Sequence, residues 1–210
     1  MMNFKLNKII KYLILSDLVF WLGWGLITPI FPIFIINSIK GGSIFVVGIA
    51  VAIYTISLAV LRIPIGFFLD RLPSEDDDYF ALVLGLFIAG VLPFFFIISK
   101  LPIHIYFIQL FHGFGMALSL SGWTAIFTRH IDKGKEATQW GMDATAVSVG
   151  SGLAAFLGGF LVDKFGFNFT FLLSGIFGTI GALLLLVIKK EIKNALEDGT
   201  KTFEKNILKM

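Results

Sequence analysis

The sequence predicts an all-α integral membrane protein with six transmembrane helices, and three observations carry that prediction. Apolar residues make up 57% of the chain, and mean hydropathy is +0.89, well above soluble averages. The apolar residues fall in blocks of about 20 or more, the length a helix needs to cross a bilayer core of about 30 Å. Lys and Arg are distributed unequally between alternate loops, as bilayer topology demands. A soluble bundle would show a polar stripe at every third or fourth position, and membrane strands would alternate over about ten residues. These blocks are apolar all round, so their backbone hydrogen bonds must close within helices.

Counting spans gives helices from Leu13 to Ile36, Ile44 to Leu69, Tyr79 to Ser99, Pro102 to Phe127, Gln139 to Val162 and Phe169 to Ile188. The first leads into Pro29-Ile30-Phe31-Pro32 without a small-residue cleavage site, so it reads as a retained helix and not a secretory signal. Pro29, Pro32, Pro64 and Pro93 read as kinks. The domain expected is 1–188, built of repeats at about 11–99 and 102–188, followed by a basic tail at 189–210 where Lys and Glu interleave around a Gly199 break.

With the amino terminus in the cytoplasm, the inner side holds thirteen basic residues and the outer side three, Lys40, Lys100 and Lys164. The positive-inside rule therefore predicts a multi-pass protein of the cell membrane with both termini cytoplasmic.

Composition excludes several functions. There is no cysteine, hence no disulfide or thiolate site. No long lysine-rich tract offers a nucleic-acid surface, and no Gly-x-x-x-x-Gly-Lys-Ser/Thr loop offers an ATP site. Three scattered histidines supply no reacting constellation, so neither an enzyme nor a cofactor is expected. The run Glu75-Asp76-Asp77-Asp78 reads as a solvated loop at the amino end of the third helix, without the shaped loop that a metal site needs.

An internal repeat is visible. Gly66-Phe67-Phe68-Leu69-Asp70-Arg71-Leu72-Pro73 closes the second helix, and Gly159-Phe160-Leu161-Val162-Asp163-Lys164-Phe165-Gly166 closes the fifth, 93 residues on. Both read Gly-Phe-x-x-Asp-basic-apolar-turn, one on each side of the membrane, as an inverted three-plus-three repeat requires.

Asp17, Arg62 and Asp143 are ionisable residues embedded in apolar stretches, where charge is costly and needs a partner or an aqueous path. Asp17 with Arg62 is the expected pair and Asp143 the competitor; with Asp70 and Arg71 they form a candidate gating or coupling group. Trp24 lies about 16 Å along helix one and His112 about 15 Å along helix four, near mid-bilayer, where secondary transporters bind solute. Trp21, Trp24, Gln109 and His112 are the candidate substrate contacts. Small residues recur at every fourth position, Ala146, Gly150, Ala154 and Gly158 in helix five and Gly113, Ala117, Ser121 and Ala125 in helix four, which suits close helix packing.

These residues resemble the major facilitator superfamily, as the amino-terminal half of its fold. Gly66, Asp70 and Arg71 match the signature Gly-x-x-x-Asp-Arg-x-Gly-Arg-Arg between its second and third helices, with Pro73 in place of the glycine and Ser74, Glu75 and Asp76 where the basic pair would continue. The helix-one run Gly23-Trp24-Gly25-Leu26-Ile27-Thr28-Pro29 is similar to tetracycline-type drug antiporters. The antiporter glycines of helix five are met at Gly141, Gly150, Gly158 and Gly159, with Ala154-Ala155 at the Gly-Pro, and Gln109 stands where the fourth helix would carry arginine.

The resemblance implies a half-sized unit completed by a second half across the cavity, expected to be a second copy in a homodimer. It implies that helices two and five meet that half, with Gly141, Gly150, Ala154 and Gly158 as the dimer seam where they are not packed within one subunit. The function it implies is alternating-access transport of a small organic solute, sugar-like or amphiphilic, with or without a coupling proton or cation. The alternatives are a non-transporting membrane receptor or scaffold, or one half of a heteromeric carrier.

Overall fold

The computed structural model describes residues 6–72 and 74–193. Six α-helices follow one another: α1 Lys8–Ile27, α2 Phe31–Ser38, α3 Ile44–Leu69, α4 Glu75–Phe96, α5 Pro102–His130 and α6 Glu136–Leu184, with a 3-10 turn at Leu185–Ile188. Several starts are capped by side chains that take up otherwise orphaned amides. Asn7 accepts from the Ile10 N–H at 2.9 Å, Ser43 from Val46 and Ser74 from Asp76. Between α1 and α2 the break falls at Thr28-Pro29-Ile30, where proline has no amide to give. Thr28 Oγ1 donates to the Trp24 carbonyl at 3.1 Å, and the two helices make one crossing of 31 residues from Lys8 to Ser38.

Helix α6 is two crossings joined at one residue. Only Gly166 departs from helical geometry, with φ 80° and ψ 172°, a region open chiefly to glycine. Contacts with α1 establish the reversal. Leu18 meets Gly150 and Leu26 meets Gly158, a register that rises along both helices, whereas Ser16 and Phe20 meet Gly181 and Gly23 meets Ser174, a register that falls. In a straight rod, Ala154 and Ser174 would lie about 30 Å apart at 1.5 Å per residue, yet both touch the short stretch Gly23–Gly25. The arms 136–165 and 167–184 therefore run antiparallel, which gives six membrane-length segments among the described residues.

Loop contacts fix which ends share a side. Lys8 pairs with Glu191, and Asn7 donates to the His130 carbonyl at 2.6 Å. The start of α1, the α5–α6 turn and the end of the last helix thus share one face. On the other face the Lys40 N–H donates to the Lys100 carbonyl at 2.9 Å. Packing follows the order α3, α5, α4, 167–184, α1, 136–165, with α1 and α5 touching directly as well. Small residues let backbones close in at corresponding places in each half. A Cβ built on Gly25 would lie 2.7 Å from Ala154 Cβ, one on Gly113 2.7 Å from Ser57 Cβ, and Gly90 and Gly178 meet where α4 crosses the last arm.

Three expectations change. The acidic run is not a loop: α4 begins at Glu75, and Glu75 and Asp78 are buried. The connection expected between Val162 and Phe169 contracts to Gly166. The small-residue row of the fifth span packs within the chain, since Gly150, Ala154 and Gly158 are buried against α1, while Gly141 has no heavy atom within 4 Å of an added Cβ. Of the expected tail at 189–210, residues 189–193 continue as helix and the remainder lies outside the described residues.

Candidate functional site

Two of the mid-membrane residues picked out by depth meet face to face. The Trp24 indole from α1 stacks on the His112 imidazole from α5, centroids 3.7 Å apart and planes 4° from parallel. The opposite side of His112 is covered by Tyr54 from α3, centroids 4.4 Å apart. Gln109 lies one turn from His112 on the same buried face of α5. Trp21 is half-buried and sits edge-on to Phe20, centroids 5.7 Å apart. Trp24 and His112 are thus brought together, with Gln109 one turn along α5 and Trp21 one turn along α1, and Tyr54 is an addition.

This layer is short of hydrogen bonds. Trp24 Nε1 and Gln109 Oε1 are buried without a partner among the described residues, although buried polar groups in folded proteins nearly always have one. One donor and one acceptor thus stand unused at the level where three helices meet.

The charged candidates separate into two places. Asp17 does not pair with Arg62 among the described residues. Asp17 is on α1, which packs on α6, whereas Arg62 is on α3, whose principal neighbour is α5. Asp17 and Asp143 are instead carried by α1 and α6, which pack on one another, and Asp143 Oδ1 is buried with no partner among the described residues. Beside them, an open groove of about 590 Å³ between α1 and α6 is lined by Leu18, Thr138, Met142 and Thr145. Arg62 is exposed on α3, a helix with only Val46, Ala50 and Leu69 buried. At the end of α3, Asp70 is exposed and its amide closes on the Gly66 carbonyl at 2.9 Å. The Arg71 guanidinium lies 4.0 Å over the Phe67 ring.

A polar clamp that was not anticipated joins α4 to α5 at the Lys8 face. Glu75 Oε1 and His130 Nε2 are 2.8 Å apart, and Arg129 pairs with Asp78. Asp132 extends the network by accepting from Gln139 Nε2 at 2.9 Å. Glu75 and Asp78 are i, i+3 neighbours, and the adjacent pair Arg129-His130 closes α5. That spacing was the available sequence signal.

Together these features define a multi-pass membrane protein whose polar groups gather at mid-depth and along one helix-lined wall. The chain belongs to the Major Facilitator Superfamily, whose family model matches residues 13–209, and it is accordingly a half-sized unit of a membrane transporter fold. It is 23% identical over 180 residues to an uncharacterised MFS-type transporter of Methanocaldococcus jannaschii, covering 86% of this chain and 45% of that protein. Its fold is similar to the crystal structure of the POT family transporter PepTSo, with TM-score 0.75, 16% identity, and coverage of 89% of this chain and 38% of the other. The chain spans less than half the length of either protein.

Proposed function

We propose that this chain is one half of a non-enzymatic secondary transporter that carries a small organic solute by alternating access, working against a second copy of itself. The observation that carries the solute reading is the unused pair at mid-membrane, Trp24 Nε1 as donor and Gln109 Oε1 as acceptor. Beside an aromatic layer, this pair suits an uncharged solute that presents a hydroxyl and an apolar ring face, as sugars and amphiphilic drugs do. Trp24 and His112 are closed on one another, so α1 and α5 part to admit the solute. Opening and closing of that stack is the inner event of the rocking cycle.

The case for a second half rests on α3. Its exposed face carries Thr55 and Arg62, and an arginine turned to hydrocarbon costs several kcal/mol on insertion scales, roughly 2.5–3.5. A partner wall or a water-filled cavity removes that cost. The exposed side of 136–165, with Gly141 and Gly152 open, is the complementary wall. A two-fold axis along the membrane normal would bring α3 of one copy against 136–165 of the other. Asp17 and Asp143 beside the α1–α6 groove are the proposed coupling group for a proton or cation. In the proposed topology the Lys8 face is cytoplasmic.

Uptake by vesicles holding only the purified chain tests this reading. Flux of at least one solute from a sugar and amphiphile panel is expected, and Gln109→Ala should raise the half-saturating concentration about tenfold, the effect of one hydrogen bond of about 1.4 kcal/mol. Absence of flux across the panel would favour a receptor or a half that needs a different partner. Assembly is tested separately on this cysteine-free background. Oxidation of the double variant Thr55→Cys/Gly152→Cys should give a covalent dimer, whereas Gly150→Cys, buried against Leu18, should stay monomeric. The converse pattern would sink the arrangement.

A further inference from the structure

At the Lys40 face, α4 and α5 enclose a groove of about 440 Å³ that the transport reading leaves unused. Its walls are apolar and largely aromatic, with Phe95 from the end of α4, Ile98 just beyond it, and Phe107 and Phe111 from α5. All four are exposed. Phe107 and Phe111 are exposed where Gln109 and His112 of the same helix are buried, so the groove opens toward the surrounding bilayer. Its volume lies within the range of roughly 300–1,000 Å³ that accommodates a small-molecule ligand.

The polar groups collect at one end. Ser99 and His104 line the mouth, and the Lys40 amide is bonded to the Lys100 carbonyl beside them. The backbones of two of the three basic residues that the topology assigns to this face therefore meet, and among the described residues neither Lys40 nor Lys100 has a carboxylate partner. His104 Nδ1 accepts from the Lys100 N–H at 3.2 Å, which places the neutral ring's proton on Nε2 and makes that nitrogen a donor. Two lysines whose backbones meet at the rim, and an imidazole N–H at the mouth of an aromatic slot, suit an anionic head and an apolar tail.

We propose that this groove binds one anionic phospholipid, its phosphate held by Lys40, Lys100 and His104 and one acyl chain laid over Phe95, Phe107 and Phe111. The site belongs to the leaflet on the Lys40 face. It is separate from the Trp24–His112 stack, because its outer walls Phe107 and Phe111 are exposed on α5 whereas Gln109 and His112 are buried. A soluble phosphate would use the rim alone; the lipid uses rim and slot together.

The test uses the whole purified chain. Native mass spectrometry in a mild detergent, titrated with phosphatidylglycerol or with phosphatidylcholine of the same chains, should show phosphatidylglycerol retained preferentially by roughly thirtyfold, from two lysines near an anionic headgroup. Lys40→Gln/Lys100→Gln, at exposed positions that leave the core untouched, should erase most of that preference. A photoreactive benzoylphenylalanine at Phe107 should label phosphatidylglycerol, whereas the same group at Leu172, exposed on the 167–184 arm, should show no such preference. Equal retention of the two lipids, a preference that survives the double substitution, or competition by glycerol phosphate lacking acyl chains would each overturn the proposal.

Discussion

Gly158→Val is expected to prevent the bundle from assembling, whereas Gly152→Val, six residues earlier on the same helix, is expected to leave the protomer folded. A Cβ on Gly158 would overlap the Leu26 carbonyl oxygen and the Leu26 Cα, which are backbone atoms that no rotamer change can move aside. Helix α1 has nowhere to retreat. On its other side Gly23 is pressed against Ser174 and Gly178, Phe20 packs on Gly181, and the Ser16 hydroxyl donates to the Gly181 carbonyl at 2.8 Å. Overpacking a tight core costs about 1–3 kcal/mol where side chains can yield; with backbone on both sides the cost should reach or exceed about 3 kcal/mol. Fluorescence-detected size exclusion and thermal unfolding in detergent would show little monodisperse Gly158→Val. Among the described residues nothing lies within 4 Å of a Cβ added to Gly152, so its valine should unfold within a few degrees of the parent. If Gly152→Val proved as damaging as Gly158→Val, the assignment of the buried and free faces of this helix would be wrong.

That contrast marks where sequence reading stops. The spacing of Gly150, Ala154 and Gly158 says that something approaches this side of the helix closely, but periodicity does not say which helix, and the approaching element is α1 of the same chain. Depth was legible, because hydropathy fixes where each span enters and each residue adds about 1.5 Å. Counting alone put Trp24 and His112 at one level, and they stack. The same counting from Ile44 puts Tyr54 about 15 Å deep, so the third ring of the stack was available to the method. Lateral position was not legible: Asp17 and Arg62 lie at similar depth, yet one faces α6 and the other projects from α3. Boundaries were recovered where apolar runs end abruptly, as at Ile44 and Leu69, and missed where polar residues are helical. Glu75 to Asp78 form the first turn of α4, where four carboxylates suit the positive end of a helix.

That first turn supplies the other large effect. Arg129→Ala is expected to lower stability by about 2 kcal/mol, and Asp78→Asn on top of it to restore much of the loss. The Asp78 side chain is only 3% exposed, so removing its guanidinium leaves a carboxylate with little water and an oxygen, Oδ1, already without a partner among the described residues. Stranding a buried charge in this way typically costs about 3–5 kcal/mol. The figure here is smaller because the Arg129 side chain is 46% exposed and part of its attraction is already screened. Asparagine keeps the shape and removes the charge, which separates an electrostatic clamp from simple packing. A double-mutant cycle by thermal unfolding should give a coupling of about 1 kcal/mol or more; additive losses would mean that the pair contributes nothing as a pair. The clamp also joins the first turn of α4 to the last of α5, the helix that carries Gln109 and His112. Loosening it should therefore disturb the alignment of the aromatic layer on α1, and a vesicle assay on Arg129→Ala should show slower uptake even under conditions where the variant is fully folded.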